Sequence, residues 1–235
     1  MMKRIKKGDN VVRISYGKDI IFEVIKSLKT IDDRFEQNIN EYKNIKENRR
    51  IEQYVTGKIL HLDGDRRYSE KSLRYYQKMG LKAIVKNIPE YKQPNMVYNL
   101  LLYYNPDILV VTGHDGMIKK ERAYDDIYNY RNSKYFIETV KEARRYEREQ
   151  GKEIVIFAGA CQSYFEALIM AGANFASSPA RILIDFLDPL VIARKVATTD
   201  SLKYITIGDI EHELRDGKRG VGGIGANGKR IVTFM

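Results

Sequence analysis

The apolar positions divide the chain into a short β-patterned start, a polar segment and a long alternating region. Val11-Val12-Arg13-Ile14-Ser15 and Ile20-Ile21-Phe22-Glu23-Val24-Ile25 flank the turn-forming Tyr16-Gly17-Lys18-Asp19. That pattern predicts a hairpin of the kind that opens SH3-like barrels. Two strands alone are marginal, so the hairpin is expected to dock on something. Residues 28–56 are polar and charged. Ile31, Phe35, Ile39 and Tyr42 follow helical spacing there, which predicts an exposed helix or linker.

From Lys58 onward, strand and helix patterns alternate. Lys58-Ile59-Leu60-His61-Leu62 predicts a strand closed by Asp63-Gly64-Asp65. A helix around Glu70–Met79 follows, with Gly80 as its stop. Leu81–Ile88 predicts the next strand, and Gln93–Tyr104 a helix with Pro94 in its first turn. Ile108-Leu109-Val110-Val111-Thr112 and Ile154-Val155-Ile156-Phe157-Ala158 predict two more strands. Between them, Ser133–Gln150 is amphipathic, with Ser133 as expected cap and Gly151 as stop. A helix is expected from Cys161 to about Ala171. Further on come strand-like pieces at 175–179 and 181–185, helices at 188–197 and 208–216, a glycine-rich loop at 217–228 and a terminal strand at 229–235. Continuous apolar runs suit strands buried on both faces. The expected fold is α/β, a mostly parallel sheet with helices on both faces. The expected domains are a small N-terminal β element at 1–27, a helical linker at 28–56 and an α/β domain at 57–235.

Composition narrows the class. The chain has 235 residues, 43% apolar and 31% charged, which suits a globular protein with a sizeable core. No apolar segment reaches the roughly 18 residues of a membrane span. The basic start lacks the apolar stretch of a secretory signal. There is one cysteine, so no internal disulfide and no cysteine-based zinc site is expected, and an intracellular setting fits. Net charge is +10, but the basic residues are scattered and no nucleic-acid motif accompanies them. Neither a metal nor a cofactor is called for. The oligomeric state is not set by the sequence.

In a parallel sheet, functional groups collect at the carboxyl ends of the strands. Two apolar runs end there in reactive residues: Thr112-Gly113-His114-Asp115-Gly116 and Ala158-Gly159-Ala160-Cys161-Gln162. A lone cysteine is ordinarily a buried small hydrophobe. Small residues before Cys161 and a helix expected after it favour a reactive thiolate instead. His114 lies between glycines, where the backbone turns tightly or leaves room for a ligand. The pair predicts a nucleophile and a general base, with oxyanion donors at the N–H groups of Cys161 and of Asp115 or Gly116. The spacing is close to the roughly 50 residues that separate histidine from cysteine in caspases, whose signature also ends in Ala-Cys. Asp63, Asp65 and Asp185 are candidates to bind a basic substrate side chain through charge-assisted hydrogen bonds. For Asp63 and Asp65, a plain turn is the competing reading. His61 and His212 are expected to be structural or surface groups. Gly220-Val221-Gly222-Gly223-Ile224-Gly225 suggests a nucleotide loop superficially, but lacks a strand before it and a helix after it. The rival readings are an anion or nucleotide site at Gly113-His114-Asp115-Gly116, and a non-catalytic scaffold whose N-terminal hairpin and basic surface bind partners.

Longer motifs carry a resemblance. They are Gly57-Lys58-Ile59-Leu60-His61-Leu62-Asp63-Gly64-Asp65, Pro106-Asp107 through His114-Asp115, and Phe157-Ala158-Gly159-Ala160-Cys161-Gln162-Ser163-Tyr164-Phe165-Glu166. Ala171-Gly172-Ala173-Asn174-Phe175-Ala176-Ser177-Ser178-Pro179 and the opening Gly8-Asp9 with Ser15-Tyr16-Gly17 add to them. Together they resemble the YabG family of sporulation-specific proteases, over residue 57 to the C-terminus and the N-terminal hairpin. The resemblance implies a caspase-like cysteine endopeptidase that processes spore coat and cortex-lytic precursor proteins, cleaving after arginine. It implies Cys161 and His114 as the catalytic pair, protein substrates as partners, and action in the developing spore. The segment at about 28–56 departs from the family pattern, where a longer β-rich stretch would complete a barrel.

Overall fold

The structure is a computed structural model and describes residues 10–12, 21–23, 36–40, 54–119 and 124–232. The chain forms two compact units, Met1–Asn44 and Ile45–Met235. In the first, β1 (Asn10–Val12) pairs antiparallel with β2 (Ile21–Glu23), Val11 opposite Phe22. This is the pairing expected of the hairpin. Its turn at Tyr16-Gly17-Lys18-Asp19 lies outside the described residues. Residues 36–40 are helical and Ile39 is buried, in keeping with the helical spacing there.

The second unit is built on a six-stranded sheet. In chain order its elements begin with β3 (Tyr54–Val55), β4 (Ile59–Asp63), helix α1 (Arg66–Lys78), β5 (Ala83–Asn87), α2 (Gln93–Tyr104) and β6 (Ile108–Thr112). Then come α3 (Ser133–Gln150), β7 (Val155–Ala158), α4 (Phe165–Met170), β8 (Phe175–Ser177) and α5 (Leu187–Thr198). Short strands β9 (Tyr204–Ile205), β10 (Val221–Gly223), β11 (Ala226–Asn227) and β12 (Ile231–Val232) close the chain. The sheet order is β10-β8-β7-β6-β4-β5. The strands from β4 to β8 run parallel, and β10 pairs antiparallel at one edge. The mostly parallel α/β sheet expected from the apolar runs is what forms.

Period-two alternation explains how both faces are covered. Leu60, Leu62, Leu109, Val111, Ile156 and Ala158 point to one side, into a core with Val97 and Leu101 of α2, Phe136 and Val140 of α3, and Leu168 of α4. The intervening residues Ile59, His61, Ile108, Val110 and Phe157 are equally buried and face the other way. Helices α1 and α5 pack together and against the sheet. Each central strand is therefore apolar at nearly every position. α2 and α3 end as their sequences predict, on Asn105 and Gly151, both left-handed (φ 45° and 66°).

Several local expectations change. The first helix starts earlier, at Arg66, because Asp65 caps it by accepting the Tyr68 N–H at 3.0 Å. Asn132, not Ser133, precedes α3, and Ser133 is buried with its hydroxyl committed elsewhere. The helix after the cysteine begins only at Phe165, so Cys161 sits in a turn. The helix-dipole argument for its thiolate therefore falls. Residues 181–185 are irregular rather than a strand. The helix expected at 208–216 is replaced by one-turn 3-10 segments, the first fixed by reciprocal capping between Thr206 and Asp209. The glycine-rich 217–228 contains edge strand β10. Its glycines let it approach β8 closely: a Cβ on Gly223 would collide with the Asn174 carbonyl and the Phe175 backbone. Gly223→Ala should therefore destabilise the fold by about 1–3 kcal/mol, read as a lower urea midpoint with unchanged m-value. A wild-type midpoint would show that the edge strand gives way at no cost.

Candidate active site

The strand order reverses beside β4: the chain goes from β4 to β5 on one side, then to β6 on the other. In such sheets the binding crevice lies outside the carboxyl ends at this switch point. The register decides which residues meet there. Asp63 pairs with Thr112, an offset of 49 that also separates Asp65 from His114. Val111 pairs with Ala158, an offset of 47 that also separates His114 from Cys161. Gly159 continues this ladder by donating its N–H to the Val111 carbonyl at 2.9 Å. Asp65, His114 and Cys161 thus follow the carboxyl ends of three adjacent parallel strands at the same sequence offsets.

The imidazole of His114 is half exposed, with Nε2 3.3 Å from Asp65 Oδ2. The ring of Tyr68 stands edge-on to it at 6.3 Å, and Tyr68 stacks on Phe186 at 5.6 Å. The His114 backbone is held on both sides: its N–H donates to Glu90 Oε1 at 2.7 Å, and its carbonyl accepts from Asn132 Nδ2 at 2.8 Å. Glu90 was not singled out in the sequence. The signal for it is the pair Gly64 and Gly113, since a Cβ at either would run into the Glu90 carboxylate.

Cys161 lies in the turn after β7. Gly159 takes φ 107°, a conformation that L side chains rarely adopt, so the chain leaves the strand sharply. The thiol is partly buried and donates to the Ile184 carbonyl at 3.8 Å. The next residue, Gln162, donates its N–H to the Ile182 carbonyl and to Ser178 Oγ at 3.1 Å each. The loop 178–186 therefore lies against the thiol. Tyr164 and Tyr130 stack at 5.1 Å, with the Arg181 guanidinium over both rings and paired with Glu166.

The candidate carboxylates are sorted by their donors. Asp65 is partly exposed, with Oδ1 capping α1 and Oδ2 toward His114. Asp63 is buried, and both its oxygens are used: Oδ1 by the Asp65 N–H at 2.7 Å and Oδ2 by the Thr112 hydroxyl at 2.8 Å. Asp185 is buried beside the thiol loop and accepts the Leu187 N–H at the start of α5 at 3.0 Å. Asp115 turns its carboxylate toward α3, accepting from Gly116 N–H and Asn132 N–H at 2.8 Å each. The Gly116 N–H is thereby committed. The Asp115 N–H has no acceptor among the described residues, so of the two candidate oxyanion donors it is the one left available.

A buried polar chain underlies the site. Asp63 fixes its polarity, because a carboxylate only accepts. The single Thr112 hydroxyl proton goes to Asp63, so its oxygen accepts from His61 Nε2 at 2.7 Å. His61 Nδ1 then accepts from the Tyr76 hydroxyl at 3.2 Å. His61 is thus the structural histidine expected of it. Burial lowers its pKa to about 3 and raises that of Asp63 to about 6, the latter against hydrogen bonds from Asp65 and Thr112. Among the described residues no cluster of side chains has the makings of a metal site, and no helix is long and apolar enough to cross a membrane. The sequence Gly220–Gly225 belongs to the edge strand and its exit, away from any helix start.

A family model described as YabG peptidase U57 matches residues 26–234. The chain belongs to the YabG peptidase U57 family. The match takes in the segment 28–56, which the motif resemblance left out. The sporulation-specific protease YabG of Bacillus subtilis (strain 168) is 44% identical over 175 residues, covering 74% of this chain. The chain spans about 60% of that relative's length. The receiver domain of the histidine kinase CKI1 from Arabidopsis thaliana matches 59% of this chain and 90% of its own, at 15% identity and a TM-score of 0.38. That likeness is too loose to carry an argument about this member of the YabG family.

The buried chain gives a prediction with a definite sign. Unfolded His61 binds a proton below pH 6.5 that the folded ring refuses until about pH 3, so stability falls as pH drops through that window. Asp63 acts oppositely: the folded carboxyl takes a proton near pH 6, the unfolded one near 3.8, so stability rises as pH falls between them. Asp63→Asn removes the opposing contribution. Its melting temperature should fall more steeply than that of the wild type between pH 6 and 4. Parallel curves would contradict this account of Asp63.

Proposed function

We propose that this chain is a cysteine endopeptidase with Cys161 as nucleophile and His114 as its general base. One observation carries the reading: Asp65, His114 and Cys161 follow the carboxyl ends of three adjacent parallel strands, β4, β6 and β7. Membership in the YabG peptidase family supports the reaction class. In this mechanism the thiolate attacks the scissile carbonyl, and His114 gives its proton to the leaving amine. The N–H groups of Cys161 and Asp115 face the developing oxyanion. Water then hydrolyses the thioester, with His114 taking its proton. The domain is caspase-like in this reading.

The substrate is a protein chain cut after arginine. Asp65 is the carboxylate that meets the arginine, because it alone among the candidates is partly exposed and its Oδ2 lies beside the half-exposed His114. Tyr68 and Phe186 flank that space, and Lys71 Nζ already lies 5.5 Å from the Phe186 ring centre. An aromatic face suits a guanidinium equally well. The relative's printed description as sporulation-specific supports spore coat or cortex-lytic precursors as substrates and the developing spore as the place of action.

Short chromogenic peptides ending in Arg, Lys, Asp or Asn test this. Cys161→Ala should abolish cleavage, and His114→Ala should lower kcat about 10²–10⁴-fold. Full activity without the thiol would sink the proposal. Iodoacetamide should inactivate the enzyme and EDTA should leave it active. Asp65→Asn separates two roles. A higher KM confined to Arg and Lys peptides is expected; a fall in kcat on every peptide would assign Asp65 to orienting the imidazole instead.

A further inference from the structure

Asp115 follows His114 directly, yet its side chain turns away from the crevice. Its carboxylate accepts four hydrogen bonds. Two are the backbone N–H groups of Gly116 and Asn132, both on Oδ1. The others are the hydroxyls of Ser133, at 2.5 Å, and Ser163, at 2.9 Å, both on Oδ2.

Those two serines connect Asp115 to the cysteine turn. Each hydroxyl has one proton and gives it to Asp115, so each oxygen is left to accept. Ser163 Oγ accepts the Ala160 N–H at 2.9 Å, and Ser133 Oγ accepts the Tyr164 N–H at 2.8 Å. Ala160 and Tyr164 bracket Cys161. The turn carrying the thiol therefore hangs, at both ends, from the residue next to the histidine. Bonds between polarised groups strengthen one another in such a chain. Burial pushes the Asp115 carboxyl pKa up, and the hydrogen bonds oppose this. Asparagine could not serve in its place, because one of its terminal atoms would present protons to groups that are themselves donating.

We propose that Asp115 is a positioning residue that sets the thiol of Cys161 against the imidazole of His114. The sheet fixes the height at which the two residues leave their strands. Beyond Gly159 the ladder ends, and the Asp115 cluster takes over. This inference rests on Cys161 and His114 being the catalytic pair. The fold has other supports, since Gln162 is bonded to Ile182 and Ser178 and Tyr164 stacks on Tyr130. Losing Asp115 should loosen the turn without unfolding the sheet.

The test compares Asp115→Asn, Ser163→Ala and Ser133→Ala with wild type and Cys161→Ala in the full chain. Two quantities are read: kcat and KM on an arginyl peptide, and the rate of iodoacetamide alkylation against pH. The chain has a single cysteine, so mass addition reports Cys161 alone. Asp115→Asn should lower kcat about 10²-fold with KM little changed, the usual effect of a displaced reacting group. Alkylation at pH 6, driven by the thiolate–imidazolium pair, should be lost and return only near the ordinary thiol pKa of about 8.5. The serine variants should show the same shift to a smaller degree. Wild-type kcat with a wild-type alkylation profile would overturn the proposal. So would a loss of kcat with an unmoved profile. Should Asp115→Asn fail to fold by circular dichroism, the two serine variants decide by the same criteria. If Cys161→Ala still cleaves, the peptidase reading fails separately, and the alkylation profile alone still reports on Asp115.

Discussion

Everything at the proposed site follows from register in a parallel sheet. Parallel strands fix their neighbours through evenly spaced hydrogen bonds, and a slip of one residue would turn each side chain to the opposite face. In β4, β6 and β7 both faces are buried under helices, so such a slip would force each side chain into a core packed around a different one. The core thus enforces the alignment. The alignment in turn brings Asp65, His114 and Cys161 to the carboxyl ends of adjacent strands, although they lie far apart in sequence.

Register ends where the strands end, and polar groups continue the work. Beneath the crevice, the Tyr76–His61–Thr112–Asp63 chain is polarised toward a carboxylate that also holds the Asp65 N–H. A buried anion is costly unless its acceptor sites are filled. Here the filling comes from groups that define the mouth of the site, so satisfying Asp63 also orders Asp65. The same economy holds on the other side of His114, where the donors to Asp115 come from α3 and from the cysteine turn.

Much of this was legible in the chain, and the exceptions have physical causes. Apolar runs such as Ile108–Thr112 and Val155–Ala158 announce buried parallel strands because no other element needs that many adjacent apolar residues between turn signals. The lengths of α2 and α3 follow from Pro94, Gly151 and a clear helical period. The helix after Cys161 starts later than its sequence suggests because Gln162, Ser163 and Tyr164 are compatible with a helix, while tertiary bonds to Ile182, Ser178 and Ser133 hold them in a turn. Edge strand β10 was hidden by its glycines, which are there for close approach to Asn174 and Phe175 rather than for flexibility. Ser133 looked like a cap because its residue type suits one; its hydroxyl was instead drawn into the Asp115 cluster. Glu90 left only an indirect trace, in the two glycines that make room for it.

The aspartates show why residue type and position together still underdetermine a role. Asp63, Asp65 and Asp185 are candidates for a basic substrate side chain, and the Asp115 backbone N–H is a candidate for an oxyanion. What separates them is the number of donors each already holds. A carboxylate whose oxygens are filled by fixed backbone and hydroxyl groups gains little from a substrate guanidinium and would have to break bonds to receive it. Asp63 and Asp115 are in that condition, and Asp185 is buried at the start of α5. Asp65 caps a helix with one oxygen, and its other oxygen is turned to the half-exposed imidazole of His114. The role of each carboxylate is therefore set by its surrounding donors, which come from residues scattered over the chain and become visible only once the sheet has gathered them.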